Sequence, residues 1–262
     1  MQYALITAID NYLDPANNLQ GCVNDAQNFR STIAKISFGF FNEFVIKNQN
    51  ATKQEILDSL SWFIRQAKTG DSVVFYYSGH GSQVPDMNGD EIDKLDEILC
   101  PYDFSWATKT YITDDEIGDI LKTAKDGVVI DIILDCCHSG TATREPRKLF
   151  KKSNTKRFIR NPDLLSVDTT YKKRRGLLQK QIEDNSNHTL WSACRSDEVS
   201  MEMKIDGKIQ GYFTNNFCEV LNDNPTSTRG QIYKKVQGKM GSKYQHPALY
   251  ISPIALTKKI FT

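Results

Sequence analysis

VVIDIILDCCHSG, residues 128–140, runs from a β-branched, apolar segment broken only by Asp131 straight into an aspartate, two adjacent cysteines, a histidine, a serine and a glycine. An apolar, β-branched run of this length, followed at once by reactive side chains, reads as a strand buried on both faces that ends at a reactive edge. SVVFYYSGHGSQ, residues 72–83, repeats the arrangement, with SVVFYY as the strand and Gly79-His80-Gly81 just beyond it. YALITAI (3–9), TLWSAC (189–194) and ALYIS (248–252) are further short strand-like runs. Helical patterns lie between them. Residues 53–67 put Ile56, Leu57, Leu60, Phe63, Ile64 and Ala67 on one stripe behind a Thr52/Glu55 capping box, and Thr113 with Glu116 repeats the device ahead of Ile117, Ile120 and Leu121. Strands alternating with helices predict an α/β fold with one mostly parallel central sheet flanked by helices.

In such a sheet, chemistry gathers beyond the carboxyl ends of the strands. A histidine between two glycines sits on a turn that backbone can approach closely, and a cysteine at the end of a neighbouring strand would face the same crevice. A free thiol with a pKa of about 8.5 is only slightly ionised at neutral pH, so His80 would take or share its proton, and the Gly81 and cysteine amides would face a developing oxyanion. The residues themselves leave Cys136 and Cys137 as alternative nucleophiles and His138 as a competing base.

The chain has 262 residues, 39% hydrophobic and 25% charged, which is enough for one large α/β domain. MQYALITAIDNY shows no basic n-region, and its apolar stretch is broken at Asp10, so a soluble, cytoplasmic protein without a membrane anchor is expected. Six cysteines in that setting are expected to be reduced thiols. Net charge is +1, yet residues 144–180 hold 13 Lys and Arg against Glu145, Asp163 and Asp168. That segment divides two better-patterned halves and is expected to be an exposed connection.

YYSGHGSQ, LDCCHSG, LQGCVNDA (19–26) and LWSACRSDEVSME (190–202) resemble the motifs of metacaspases, caspase-like cysteine peptidases, over nearly the whole chain. The resemblance implies a caspase-like fold with a sheet of about six strands in a single domain. Its large-subunit-like part would span 1–143, a basic exposed linker 144–186, and a small-subunit-like part 187–262. It implies Cys137, directly before His-Ser-Gly, as the nucleophile, with His80 and Gly81 completing the catalytic set. Cys136 is then a small buried neighbour. It also implies a primary pocket of Cys22, Asp25, Ser78 and Asp135. Two carboxylates there favour Arg or Lys in a protein or peptide substrate through charge-assisted hydrogen bonds; the competing reading makes Asp25 the cap of the helix that carries Phe29 and Ile33. Self-cleavage in the linker follows from such a pocket, with uncut linker able to lie across Asp25 and Asp135.

The family resemblance further implies calcium as an activator held by Asp96, Asp114 and Asp115, with Arg144 where some members have another aspartate. The loop DMNGDEIDKLDE (86–97) mimics an EF-hand but has Glu91 where glycine makes the turn, and reads as a solvated acidic loop. No cofactor is required for the chemistry, His188 and His246 read as structural, and zinc binding by Cys136, Cys137, His138 and His80 is set aside, because adjacent residues cannot readily share one tetrahedral site. A monomer without nucleic-acid or membrane partners is expected. The alternatives are a catalytically silent caspase-like scaffold, or a nucleic-acid-binding module using the basic segment.

Overall fold

Five largely apolar runs and one mixed edge strand meet in one sheet, because the apolar runs cannot bury both faces alone. The computed structural model describes residues 1–37, 41–85, 95–138, 155–166, 177–195, 198–241 and 245–262. The central sheet consists of β1 (Gln2–Ala8), β2 (Phe41–Lys47), β3 (Ser72–Ser78), β7 (Val129–Asp135), β9 (His188–Ser192) and β12 (Ala248–Ile251), in the order β12-β9-β7-β3-β1-β2. All neighbours are parallel except β12 against β9. The expected mostly parallel six-stranded sheet is therefore present, with β2 as a strand that the sequence patterns did not announce.

Helices cover both faces. α1 (Cys22–Ile36), α5 (Tyr212–Asp223) and α6 (Arg229–Met240) pack together on one side, while α2 (Lys53–Gln66), α3 (Asp114–Leu121) and α4 (Leu177–Asp184) form the other. Thr52 and Thr113 cap α2 and α3 as their spacing predicts, Thr113 in a full capping box with Glu116. Phe29 stacks on Tyr76 at 4.3 Å, and Trp191 and Phe213 close on Phe217 at 5.1 and 5.2 Å, so these aromatics are core. No helix among the described residues is long and apolar enough to cross a membrane.

Two small sheets stand at the carboxyl edge of the large one. β4 (Gly81–Pro85), β5 (Leu95–Leu99) and β6 (Ile112–Thr113) are antiparallel in that order; β8 (Thr155–Lys156), β10 (Met201–Ile205) and β11 (Lys208–Gly211) form the other, with β10 central. The parallel register sets Ala8, Ser78 and Asp135 side by side. From β1 the chain goes outward to β2 and then, from β3, inward to β7 and β9, so the β1/β3 junction is where the winding reverses.

The basic segment departs from expectation. Its described parts are held to the fold at intervals instead of forming a free connection: Thr155–Lys156, although exposed, pairs with β10, Arg157 is fully buried, Asn161 is buried, and α4 packs Leu178 and Ile182 against the sheet. Leu178 and Ile182 lie four residues apart and supply the apolar stripe that the surrounding charge obscured, and Arg157 finds acidic partners. The acidic loop read at 86–97 lies outside the described residues over 86–94, as do Ser139, Gly140, Arg144 and the linker's basic residues Lys148, Lys152 and Arg175.

A second buried cation ties the sheet to the chain end. Arg229 makes a forked pair with Asp131 of β7, Nη2 to Oδ2 at 2.6 Å and Nε to Oδ1 at 3.0 Å, while the Trp191 indole and the Phe261 amide donate to the same carboxylate. Removing the guanidinium strands a buried charge, so Arg229→Met should destabilise the fold by about 3 to 5 kcal/mol. Urea unfolding of the variant measures it, and replacing Asp131 by Asn in the same chain should restore part of the loss.

Candidate active site

Three strand ends supply the site. β3 delivers Ser78 and runs into Gly79-His80-Gly81, β7 delivers Asp135 and runs into Cys136-Cys137, and the loop after β1 brings Asp10, Tyr12 and Asn17 over them. The His80 turn is held by its backbone: the amide donates to the Tyr12 hydroxyl at 2.7 Å, and the carbonyl accepts from the Tyr77 hydroxyl at 2.7 Å and the Cys100 amide at 3.0 Å. Both glycines are required. A Cβ at Gly79 would lie 2.6 Å from the Tyr77 hydroxyl, and one at Gly81 would lie 2.3 Å from the Cys137 carbonyl oxygen.

The imidazole of His80 is oriented by one partner. Its Nε2 lies 2.9 Å from the Asn17 carbonyl, which can only accept, so Nε2 carries the hydrogen and Nδ1 the lone pair. Nδ1 is buried without a hydrogen-bond partner. Burial pushes the ring down to about 4, so it is neutral at pH 7. The Cys137 thiol is turned toward β10, where it donates to the Ser200 carbonyl at 3.2 Å, accepts from the Ser200 amide and touches the Cys194 thiol. Cys136 is buried, its thiol 3.4 Å from His138 Nε2 and raised well above the usual range by burial. His138 thus engages Cys136, and all six cysteines are free thiols.

Arg157 of the basic segment occupies the space between these groups. Its carbonyl oxygen accepts from the Gly81 amide at 3.2 Å and the Cys137 amide at 3.1 Å, and its own amide donates to the Ser200 carbonyl at 3.0 Å. The side chain enters a pocket in which Nη2 meets Asp25 Oδ2 at 2.5 Å and Nη1 meets Asp135 Oδ2 and Ser78 Oγ, both at 3.0 Å. Glu202 stands 3.8 Å away, and Cys22 forms a wall beside it. Arg157, Asp25 and Asp135 are all fully buried.

The carboxylates are themselves braced. Asp25 accepts from the Gly211 amide at 2.8 Å and Ser78 Oγ at 3.1 Å; Asp135 accepts from Ser200 Oγ and Thr214 Oγ1, each at 2.6 Å. Burial pushes Asp25 up to about 7 against the pull of Arg157, and Asp135 adds repulsion. Asp25 is not a helix cap. The first amides of α1 are served by Asp10 and the preceding Gln20 and Gly21 amides by Glu202, which leaves Asp25 facing the pocket.

The residues expected from sequence therefore converge: His80, Gly81 and Cys137 around the Arg157 carbonyl, and Cys22, Asp25, Ser78 and Asp135 around its guanidinium. Among the described residues the one group of three acidic, cysteine or histidine side chains whose donor atoms all lie within 4.8 Å of one another is Asp10, Cys22 and Glu202; Asp96 lies on β5, and Asp114 and Asp115 open α3. His188 is buried and pushed down to about 4 by burial, and His246 is 2.5 Å from Glu198, both structural placements. Sequence reading missed Asn17, Ser200, Glu202, Gly211 and Thr214. Ser200 and Glu202 lay inside a quoted motif, whereas Asn17 acts through its backbone and leaves no side-chain signal.

Residues 1–260 match the family model described as the caspase domain. The chain is 31% identical to Metacaspase-1 of Ajellomyces capsulatus, over 95% of this chain and 79% of that one. It is 30% identical to Metacaspase-1A of Aspergillus oryzae, over 95% and 67%. The crystal structure of a Geobacter sulfurreducens protein, GSU0716, superposes with a TM-score of 0.72 at 23% identity, covering 100% of this chain and 98% of that one.

Gly211 marks the depth of the pocket. A Cβ there would lie 2.3 Å from Asp135 Oδ2, 2.6 Å from Arg157 Nη1 and 2.9 Å from Asp25 Oδ2. In a Cys137→Ala background, Gly211→Ala should expel the guanidinium and free the segment around it. Limited digestion with chymotrypsin reads this as a rate of cutting after Phe158 that rises roughly tenfold or more, as exposed mobile backbone allows.

Proposed function

We propose that this chain, which belongs to the caspase-domain family and is a cysteine-type peptidase, cleaves peptide bonds after arginine or lysine, and that its first substrate is its own Arg157–Phe158 bond. The observation that carries this reading is the seating of Arg157, with the side chain among Asp25, Asp135 and Ser78 and the carbonyl oxygen on two backbone amides. That is the arrangement a scissile residue needs, with donors already aimed where negative charge develops.

The steps follow from the groups at hand. Cys137 Sγ rotates away from Ser200, gives its proton to His80 Nδ1 and attacks the Arg157 carbonyl carbon. The oxyanion is held by the Gly81 and Cys137 amides, and His80 Nδ1 then delivers the proton to the Phe158 nitrogen as the carbon–nitrogen bond breaks. Water, deprotonated by His80, hydrolyses the thioester and restores the thiol. Asn17 keeps Nε2 protonated throughout, so the same nitrogen serves each transfer. Aspartate in the pocket would face Asp25, Asp135 and Glu202 without a cation.

Cys137→Ala should abolish peptidase activity, and Cys136→Ala should leave most of it. Incubated active protein should yield a new amino terminus at Phe158 that is absent from Cys137→Ala, with the two pieces eluting together because β7 and β9 pair across the cut. A fluorogenic series varied only at P1 tests specificity, and equal rates with Asp and Arg would overturn the reading.

The pH dependence has a defined sign. An Asp25 carboxyl raised to about 7 is protonated below that pH and loses its charge opposite the guanidinium; with Arg157 gone, the group that pulled it down is also gone, and it rises further. kcat/KM toward P1-Arg peptides should therefore increase with pH through and above 7. Asp25→Asn should lower it by about 2 to 5 kcal/mol of transition-state binding and flatten that limb. Stopped assays from pH 5.5 to 9 check both.

A further inference from the structure

Beyond Arg157 the segment does not leave the protein. The Ile159 amide donates to the Gly81 carbonyl at 3.2 Å, in a parallel bridge that pairs Gly81 with Phe158. Ser82 Oγ donates to the Ile159 carbonyl at 2.5 Å, the Ile159 side chain packs against the core, and Asn161 Nδ2 donates to the Gln83 carbonyl at 3.0 Å. Arg160 between them is exposed. At Asn161 the path ends in a turn, with the Asp163 amide on Asn161 Oδ1 at 2.9 Å and the Leu164 amide on its carbonyl at 3.3 Å.

Among the described residues β4 has β5 on one side and no strand of its own sheet on the other, so its second edge presents backbone groups to whatever lies there. We infer that this edge, Gly81 to Gln83, is a binding track for the leaving-group side of the substrate. It takes an extended peptide in parallel orientation, with an aliphatic second residue and an amide-bearing fourth residue after the cut. The inference rests on the proposed cleavage after Arg157 and deepens it. Strand addition of this kind draws affinity from main-chain hydrogen bonds and selectivity from alternate side chains. Here the alternation is visible: Ile159 and Asn161 face the protein and Arg160 faces water. Phe158, half-buried, adjoins the bond to be cut. The enzyme thus reads sequence on both sides of the scissile bond, with β10 holding Thr155 and Lys156 in antiparallel pairing before it.

Two measurements on the full chain test this. First, quenched peptides of the sequence Thr-Lys-Arg-Phe-Ile-Arg-Asn-Pro are compared with peptides ending at Phe, with Asn replaced by Ala, or N-methylated at Ile or at the second Arg. Deleting the Ile donor should lower kcat/KM roughly tenfold, as expected for one buried hydrogen bond, and methylating the second Arg should change it little. A Thr-Lys-Arg-coumarin substrate runs alongside. If it is cut while all the longer peptides react alike, the track is wrong and the cleavage reading stands; if it is not cut, the cleavage reading falls. Second, amide hydrogen exchange in uncut Cys137→Ala should show Ile159 strongly protected, with protection reduced by Asn161→Ala. This readout needs no activity, and exchange of residues 158–161 at free-chain rates would overturn the track by itself.

Discussion

One guanidinium among buried carboxylates organises the carboxyl edge of this protein. Asp25, Asp135 and Glu202 are brought around one guanidinium, 2.5, 3.0 and 3.8 Å from its nitrogens, by α1, β7 and β10, and each is removed from water. Without a cation, such a group would have to take up protons or separate, because desolvation and mutual repulsion both act against the charged forms. Arg157 resolves the conflict with two of its nitrogens, while Nε stays buried without a partner. The fit is therefore incomplete, in contrast to the one at Asp131. There Arg229 engages the carboxylate through both Nε and Nη2, and an indole and a backbone amide add further donors.

The same residue lies where two free strand edges meet. β10 presents one edge to Thr155 and Lys156, and β4 presents another to Phe158 and Ile159, with opposite chain directions relative to the bound segment. A single extended peptide can satisfy both only by crossing from one small sheet to the other, and the crossing point is Arg157. Its carbonyl and amide are consequently fixed from three directions by Gly81, Cys137 and Ser200. Edge pairing fixes the backbone at Arg157, and the buried carboxylates hold its side chain, so the two kinds of contact come from different parts of the fold.

Much of this was legible in the sequence, and the rest was hidden for physical reasons. Largely apolar runs at 72–77 and 128–134 announced buried parallel strands, and Gly79-His80-Gly81 announced a turn that only glycines permit. β2 was not legible, because Phe41–Lys47 is an edge strand exposed along one side and its pattern is mixed. The seating of Arg157 was visible only as a possibility among many basic residues, since charge composition describes a solvated loop equally well. What singles Arg157 out is three-dimensional: the distance along the chain that lets Thr155 reach β10 while Ile159 reaches β4. Asn17, acting through a carbonyl, and Gly211, acting through an absent side chain, leave no chemical mark in the sequence.

Cutting the Arg157–Phe158 bond would not by itself empty the pocket. Arg157 stays covalently joined to Cys137 through the chain between them, so it competes for the site at a high effective concentration even after the cut. On the proposed cleavage, the cut would divide the contacts of this segment. The β4 edge would hold only the new amino-terminal side, Phe158 to Asn161, and the β10 edge with the charged pocket the other, with the new α-carboxylate still facing the Gly81 and Cys137 amides. Each half would dissociate with its own contacts instead of the sum. Separation of the two halves, more than bond breakage alone, would then open the site to another chain, and the strength of the two edge pairings would set how readily it occurs.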